Sequence, residues 1–142
     1  MNRDVTLIDT NVLLDVVTDD TVWADWSIAR LEEAALAGDL LINDVVYAEL
    51  SVRYELIEEL DAMLEYAGVR VIHMTRPGLF LAAKAFQRYR ASGGTKTGVL
   101  PDFFIGAQAA VSKLPLLTRD ARRYRVYFPT VTLIAPDQTA DG

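Results

Sequence analysis

The chain has 142 residues, 51% of them hydrophobic, and a formal net charge of -6. That length supports one well-buried core and not two. The absence of cysteine rules out disulfides and thiolate chemistry, and a single histidine cannot build a His-rich zinc site.

No apolar run approaches the roughly 18 residues that span a bilayer, and the first residues lack a signal pattern, so a cytoplasmic protein with no membrane partner is expected. An acidic balance argues against a nucleic-acid binder, whose footprint is usually basic. The charge is uneven, however. Acids fill Asp15 to Asp25 and Glu49 to Glu65, whereas Arg88, Arg90, Lys96, Arg119, Arg122, Arg123 and Arg125 crowd the second half, so one face can still be basic.

Val5, Leu7 and Ile8 form a short apolar run that stops at Asp9, Thr10 and Asn11 before a second apolar stretch, Val12–Leu14. This reads as a buried strand with a carboxylate at its C-terminal tip, where ligands gather in open α/β sheets. The competing reading is that Asp9 or Thr10 caps the next helix.

A helix is expected from Trp23 to Ala37, stopped by Gly38, with the two Trp as packing anchors. Leu40–Ile42 reads as a strand, and Asn43-Asp44 caps a helix starting at Val45. Glu49 lies on or beside the apolar stripe of that helix, unless it is a half-exposed acid paired with Arg53. A second amphipathic helix is expected over Tyr54–Tyr66 with Leu56, Ile57, Leu60, Met63 and Leu64 inward.

Val69–Ile72 supplies another strand, and His73 just beyond it reads as a surface or core-edge residue. A long helix starts at Pro77, with Leu79, Phe80, Ala83 and Phe86 on its inner side. Ser92–Gly98 is Gly-rich with one Lys, yet lacks the Gly-Lys-Ser/Thr ending of a phosphate-binding loop, so it reads as a mobile loop whose Lys96 can meet substrate phosphates. Asp102 opens an apolar helix, where the helix dipole alone would favour it. Leu116–Thr118 is the next strand. Asp120 follows it before a short basic helix to Tyr127, and Thr132–Ile134 is the last strand. Residues 1–135 are expected to form a single domain and 136–142 a flexible tail.

Alternating strands and helices imply an α/β fold with a central parallel sheet between helical layers, which gathers the C-terminal strand ends along one edge. Asp9, Glu49, Asp102 and Asp120 would then converge. Two carboxylates about 4 Å apart repel by roughly 4 kcal/mol at an effective dielectric of 20, so the cluster requires protons or a cation. Oxygen donors without His or Cys select a hard ion, Mg²⁺ or Mn²⁺.

The ordered set Ile8-Asp9-Thr10-Asn11-Val12-Leu13-Leu14, Tyr47-Ala48-Glu49-Leu50, Pro101-Asp102-Phe103-Phe104-Ile105-Gly106-Ala107 and Leu117-Thr118-Arg119-Asp120 resembles the PIN-domain ribonucleases, and most of all the VapC toxins of prokaryotic toxin–antitoxin pairs. The resemblance runs along essentially the whole chain. It implies a three-layer α/β/α fold and an endoribonuclease in which Asp9, Glu49, Asp102 and Asp120 hold one or two Mg²⁺ or Mn²⁺ ions, supported by Asn11 and Thr118. It also implies a homodimer and a small VapB-like antitoxin that enters the acidic groove, often with an Arg.

Phosphodiester hydrolysis of RNA by metal-activated water is the expected reaction, with Glu49 a ligand or a base that orients the nucleophile. Lys96, Arg119, Arg122 and Arg123 are candidate contacts to the RNA backbone. Three alternatives stand beside this reading. One is a PIN-like nuclease of RNA processing outside a toxin–antitoxin pair. Another is a binding module whose acids only cap helices. A phosphoaspartate enzyme of the haloacid-dehalogenase type would want a second Asp where Asn11 stands.

Overall fold

The computed structural model describes residues 4–136, so residues 1–3 and, Pro136 apart, the expected tail lie outside the described residues. Strands β1 (Thr6–Ile8), β2 (Leu40–Asn43), β3 (Val69–Ile72), β4 (Leu116–Leu117) and β5 (Leu133–Ile134) form one sheet in the order β3-β2-β1-β4-β5. Every neighbouring pair is parallel. The three inner strands, β2, β1 and β4, are buried residue by residue, as unbroken apolar runs require in a sheet covered on both faces.

The crossovers carry helices α1 (Thr10–Val17), α2 (Ala24–Ala37), α3 (Asp44–Ser51), α4 (Ile57–Ala67), α5 (Arg76–Ala91), α6 (Leu100–Ser112) and α7 (Arg122–Tyr127). The sheet grows from β1 toward β3 on one side and toward β5 on the other. Right-handed crossovers therefore put the helices of the two halves on opposite faces, giving the expected three-layer α/β architecture. With β1 central, Asp9 leaves the sheet at its middle.

Local signals account for several boundaries. The Asn43 side chain accepts from the backbone N–H of Val45 and Val46 and so caps α3. Thr75 caps α5, with Pro77 in its first turn. Gly68 ends α4 at φ +73°, a left-handed conformation that favours glycine.

Two expectations about inward faces hold only in part, with Leu60 and Leu64 buried and Met63 and Phe86 packed against the core as expected. Helix α4 begins at Ile57 rather than Tyr54, and Leu56 and Ile57 are 58% and 61% exposed instead of inward. On α5 the buried positions are Gly78, Ala82 and Ala85, while Phe80 is 67% exposed. Small residues let α5 lie close against α6, and that approach displaces the stripe marked by the larger side chains.

The Trp residues do serve packing. Trp26 lies against the core and meets Trp23 edge-on at 5.9 Å. Asp15 opens the acid-rich stretch up to Asp25, yet it is 2% exposed and fully partnered. Among the described residues no helix is long and apolar enough to cross a membrane.

Candidate active site

Asp9 occupies the N-cap position of α1, and its side chain does not cap that helix. Its backbone N–H extends the sheet ladder to Leu117 O at 2.9 Å, which sets Asp9 beside Thr118. Thr118 Oγ1 donates to Asp9 Oδ2 at 2.8 Å, Tyr124 OH at 2.9 Å and Asn11 Nδ2 at 3.4 Å. All three donors take the same oxygen, and among the described residues none donates to Oδ1. A buried carboxylate thus keeps one oxygen for a ligand. Capping, the simpler reading of Asp9, is excluded by this geometry.

Burial pushes the Asp9 carboxyl up to about 7, and the neighbouring Asp102 and Glu49 charges push the same way, against the hydrogen bonds from Thr118 and Tyr124. Asp102, in the first turn of α6, is raised to about 6, chiefly by burial. Arg123 opposes that rise, with Nη1 2.6 Å from Asp102 Oδ2, while Glu49 and Asp120 add to it. The four acids predicted from sequence therefore share one electrostatic field.

Glu49 is half-buried on α3, and its Oε1 accepts from Thr10 Oγ1 at 2.5 Å, so its partner is α1 and not Arg53. Asp120 is exposed in the β4–α7 connection, where its backbone N–H donates to Thr118 Oγ1 at 3.1 Å. Asn11 and Thr118 are hydrogen-bonded to Asp9 and to each other. Asn11 Nδ2 reaches both Asp9 and Thr118, and Asn11 Oδ1 accepts from the Arg119 backbone at 3.3 Å.

Glu49, Asp102 and Asp120 resemble Asp9 in keeping at least one oxygen that accepts no hydrogen bond from the described residues. Four carboxylates with such oxygens, of which Asp9 and Asp102 have raised proton affinities, suit a hard dication. Among the described residues no three of them close on a single point, with Glu49 held by Thr10 and Asp102 by Arg123.

The basic candidates divide. Lys96 and Arg122 are exposed, and the Lys96 backbone is fastened to Tyr89 OH at 3.0 Å. Arg123 sits 5.9 Å over the Tyr89 ring while it pairs with Asp102. Arg119 is taken up by buried Asp15.

Tyr124 escapes sequence reasoning. It looks like one aromatic among arginines, yet it is 1% exposed. Burial, then the Asp9 and Asp102 charges, raise its hydroxyl well above 10, which keeps it a donor to Asp9. The clue available in the sequence is its spacing from Phe128, i to i+4 on the face that packs inward.

The PIN domain profile matches residues 6–129. No curated protein matches the chain in sequence. Among solved structures, a chain of VapBC2 from Rickettsia felis, bound to a DNA fragment from its promoter, superposes with a TM-score of 0.72 at 18% identity, covering 94% of this chain and 99% of that one. FitAcB from Neisseria gonorrhoeae gives 0.66 at 22% identity, with 91% and 96% covered. A toxin–antitoxin complex from Klebsiella pneumoniae gives 0.63 at 21% identity, with 93% and 98% covered.

Proposed function

Because this chain belongs to the PIN-domain family, we propose that it is a metal-dependent endoribonuclease, a single catalytic unit over residues 1–135 that serves in the cytoplasm as the toxin of a toxin–antitoxin pair. The carrying observation is Asp9, a buried carboxylate raised to about 7 that directs all its hydrogen bonds to one oxygen and keeps the other open. Such a group is costly in a protein that does not use it.

Asp9, Asp102 and Asp120 would hold Mg²⁺ or Mn²⁺, with Glu49 a ligand or a base. The bound ion would activate water and stabilise charge on the phosphoryl group. The chain's own residues do the rest. Thr118 and Tyr124 fix the Asp9 rotamer, Asn11 ties it to the β4–α7 connection, and Arg123 supplies a cation at the edge of the acid cluster. Lys96, Arg122 and Arg123 are the proposed contacts for the RNA backbone.

The toxin role rests on the fold shared with the Klebsiella toxin–antitoxin complex and its VapBC and FitAB counterparts. Accordingly, a small VapB-like antitoxin and a homodimer are the proposed partners.

The test is purified protein on total cellular RNA, with and without Mg²⁺ or Mn²⁺, beside Asp9→Asn and Asp102→Asn. Discrete cuts that disappear with chelator and in both folded variants support the reading. Cuts that persist in either variant overturn it.

A further inference from the structure

Two charged residues outside the acid cluster converge beneath it. Asp15 lies on α1, 2% exposed. Its carboxylate accepts from Ser27 Oγ at 2.8 Å and from Arg119 Nε at 2.8 and 3.0 Å. The Arg119 guanidinium lies 5.7 Å over the Trp23 ring. Arg119 also stands between Thr118, which holds Asp9, and Asp120, and its backbone N–H donates to Asn11 Oδ1 at 3.3 Å.

Main chain and side chain of one residue are therefore both anchored to α1. The connection they anchor leaves a strand only two residues long, so β4 by itself does little to set its direction. With Nε committed to a buried acid and its face on Trp23, Arg119 is poorly placed to grip a phosphate. An ion pair whose acid is buried and desolvated contributes geometry more than stability.

We propose that Asp15 and Arg119 are positioning residues of the nuclease centre, a pair anchored on the buried Asp15 carboxylate that fixes the β4–α7 connection and so delivers Asp120 to the field of Asp102. This assignment rests on the nuclease reading and replaces the expectation of Arg119 as an RNA contact. It acts through Asp120 and not through substrate.

The test compares Asp15→Asn, Arg119→Lys, Arg119→Gln and the double variant Asp15→Asn with Arg119→Gln, using Arg70→Gln on the opposite edge strand as a charge-matched control. Three quantities are read: Mg²⁺ affinity by calorimetry, the Mg²⁺ concentration for half-maximal RNA cleavage, and RNA affinity in chelator at several salt concentrations. The pair variants should weaken Mg²⁺ binding and raise the half-maximal concentration by about ten- to a hundredfold, as loss of an outer-shell partner does. RNA affinity in chelator should not change, and the double variant should be no worse than the singles, because the two residues act as one unit. Arg70→Gln should match the wild type.

Wild-type Mg²⁺ affinity in folded Asp15→Asn overturns the proposal. If Asp15→Asn does not fold, wild-type Mg²⁺ affinity in Arg119→Lys, which keeps the charge and loses the Nε geometry, overturns it equally. Arg119→Gln that loses RNA affinity with a shallower salt dependence makes Arg119 a phosphate contact and also overturns it. A wild-type chain that binds Mg²⁺ without cutting RNA overturns the nuclease reading alone, since the calorimetric shift still scores the pair.

Discussion

Arg123 Nη1 stands 2.6 Å from Asp102 Oδ2, so the basic helix α7 reaches into the acid cluster and neutralises one of its members. An arginine in that position has to share Asp102 with any divalent ion that binds there.

Arg123→Gln is expected to tighten Mg²⁺ binding by about tenfold, equivalent to about 1.4 kcal/mol of relieved competition. RNA affinity in chelator should fall in the same variant, because a cation at the edge of the site is lost. Calorimetry and filter binding read the two effects separately. Unchanged Mg²⁺ affinity would show that the pair does not compete.

The raised acids carry a stability signature. Asp9 at about 7 and Asp102 at about 6 bind protons more tightly in the folded chain than at their ordinary values. Their contribution is complete below about pH 4 and is lost as pH climbs through 6 and 7, each unit of elevation being worth about 1.4 kcal/mol. In chelator, Asp9→Asn should therefore melt above the wild type at pH 8 and lose that advantage at pH 5. Mg²⁺ should close the gap at pH 8. A difference in Tm that is the same at both values would refute the charge argument.

Tyr124→Phe keeps the buried ring and removes one donor from Asp9 Oδ2. The expected cost in stability is about 1 kcal/mol. Because that donor lowers the Asp9 proton affinity, its loss moves the acid limb of the pH–rate profile upward and reduces cleavage by about tenfold at neutral pH. An unmoved pH profile would separate Tyr124 from the chemistry.

Gly106 lies on α6 where a Cβ would stand 2.4 Å from Phe128 Cδ2, inside a ring that is itself 3% exposed. Gly106→Ala should cost about 1–3 kcal/mol in urea denaturation, since the ring has to move in a close-packed layer. A neutral result would mean that α6 and the segment after α7 slide apart freely.

The sheet is readable from the chain because its inner strands are buried on both faces, and Leu7-Ile8, Leu40–Ile42 and Leu116-Leu117 announce that as plain apolar runs. The four acids are readable as a set through their ordered motifs. What the sequence hides depends on tertiary neighbours. Asp15 looks like its exposed acidic neighbours until α2 and Arg119 close over it. Tyr124 becomes an Asp9 donor only through a contact across 115 positions. The inner face of α5 escapes a reading by large side chains because closeness to α6 selects Gly78, Ala82 and Ala85, which that periodicity does not mark.

Two of the three donors to the Asp9 side chain, those that make its two shortest hydrogen bonds, lie 109 and 115 positions further along the chain. Ribosomes deliver the N-terminus first, so a nascent polypeptide carries Asp9 for most of its synthesis with neither Thr118 nor Tyr124 to orient it. On the proposed nuclease reading, the cutting centre would be assembled only after Tyr124 is made, and a shorter growing chain would lack it.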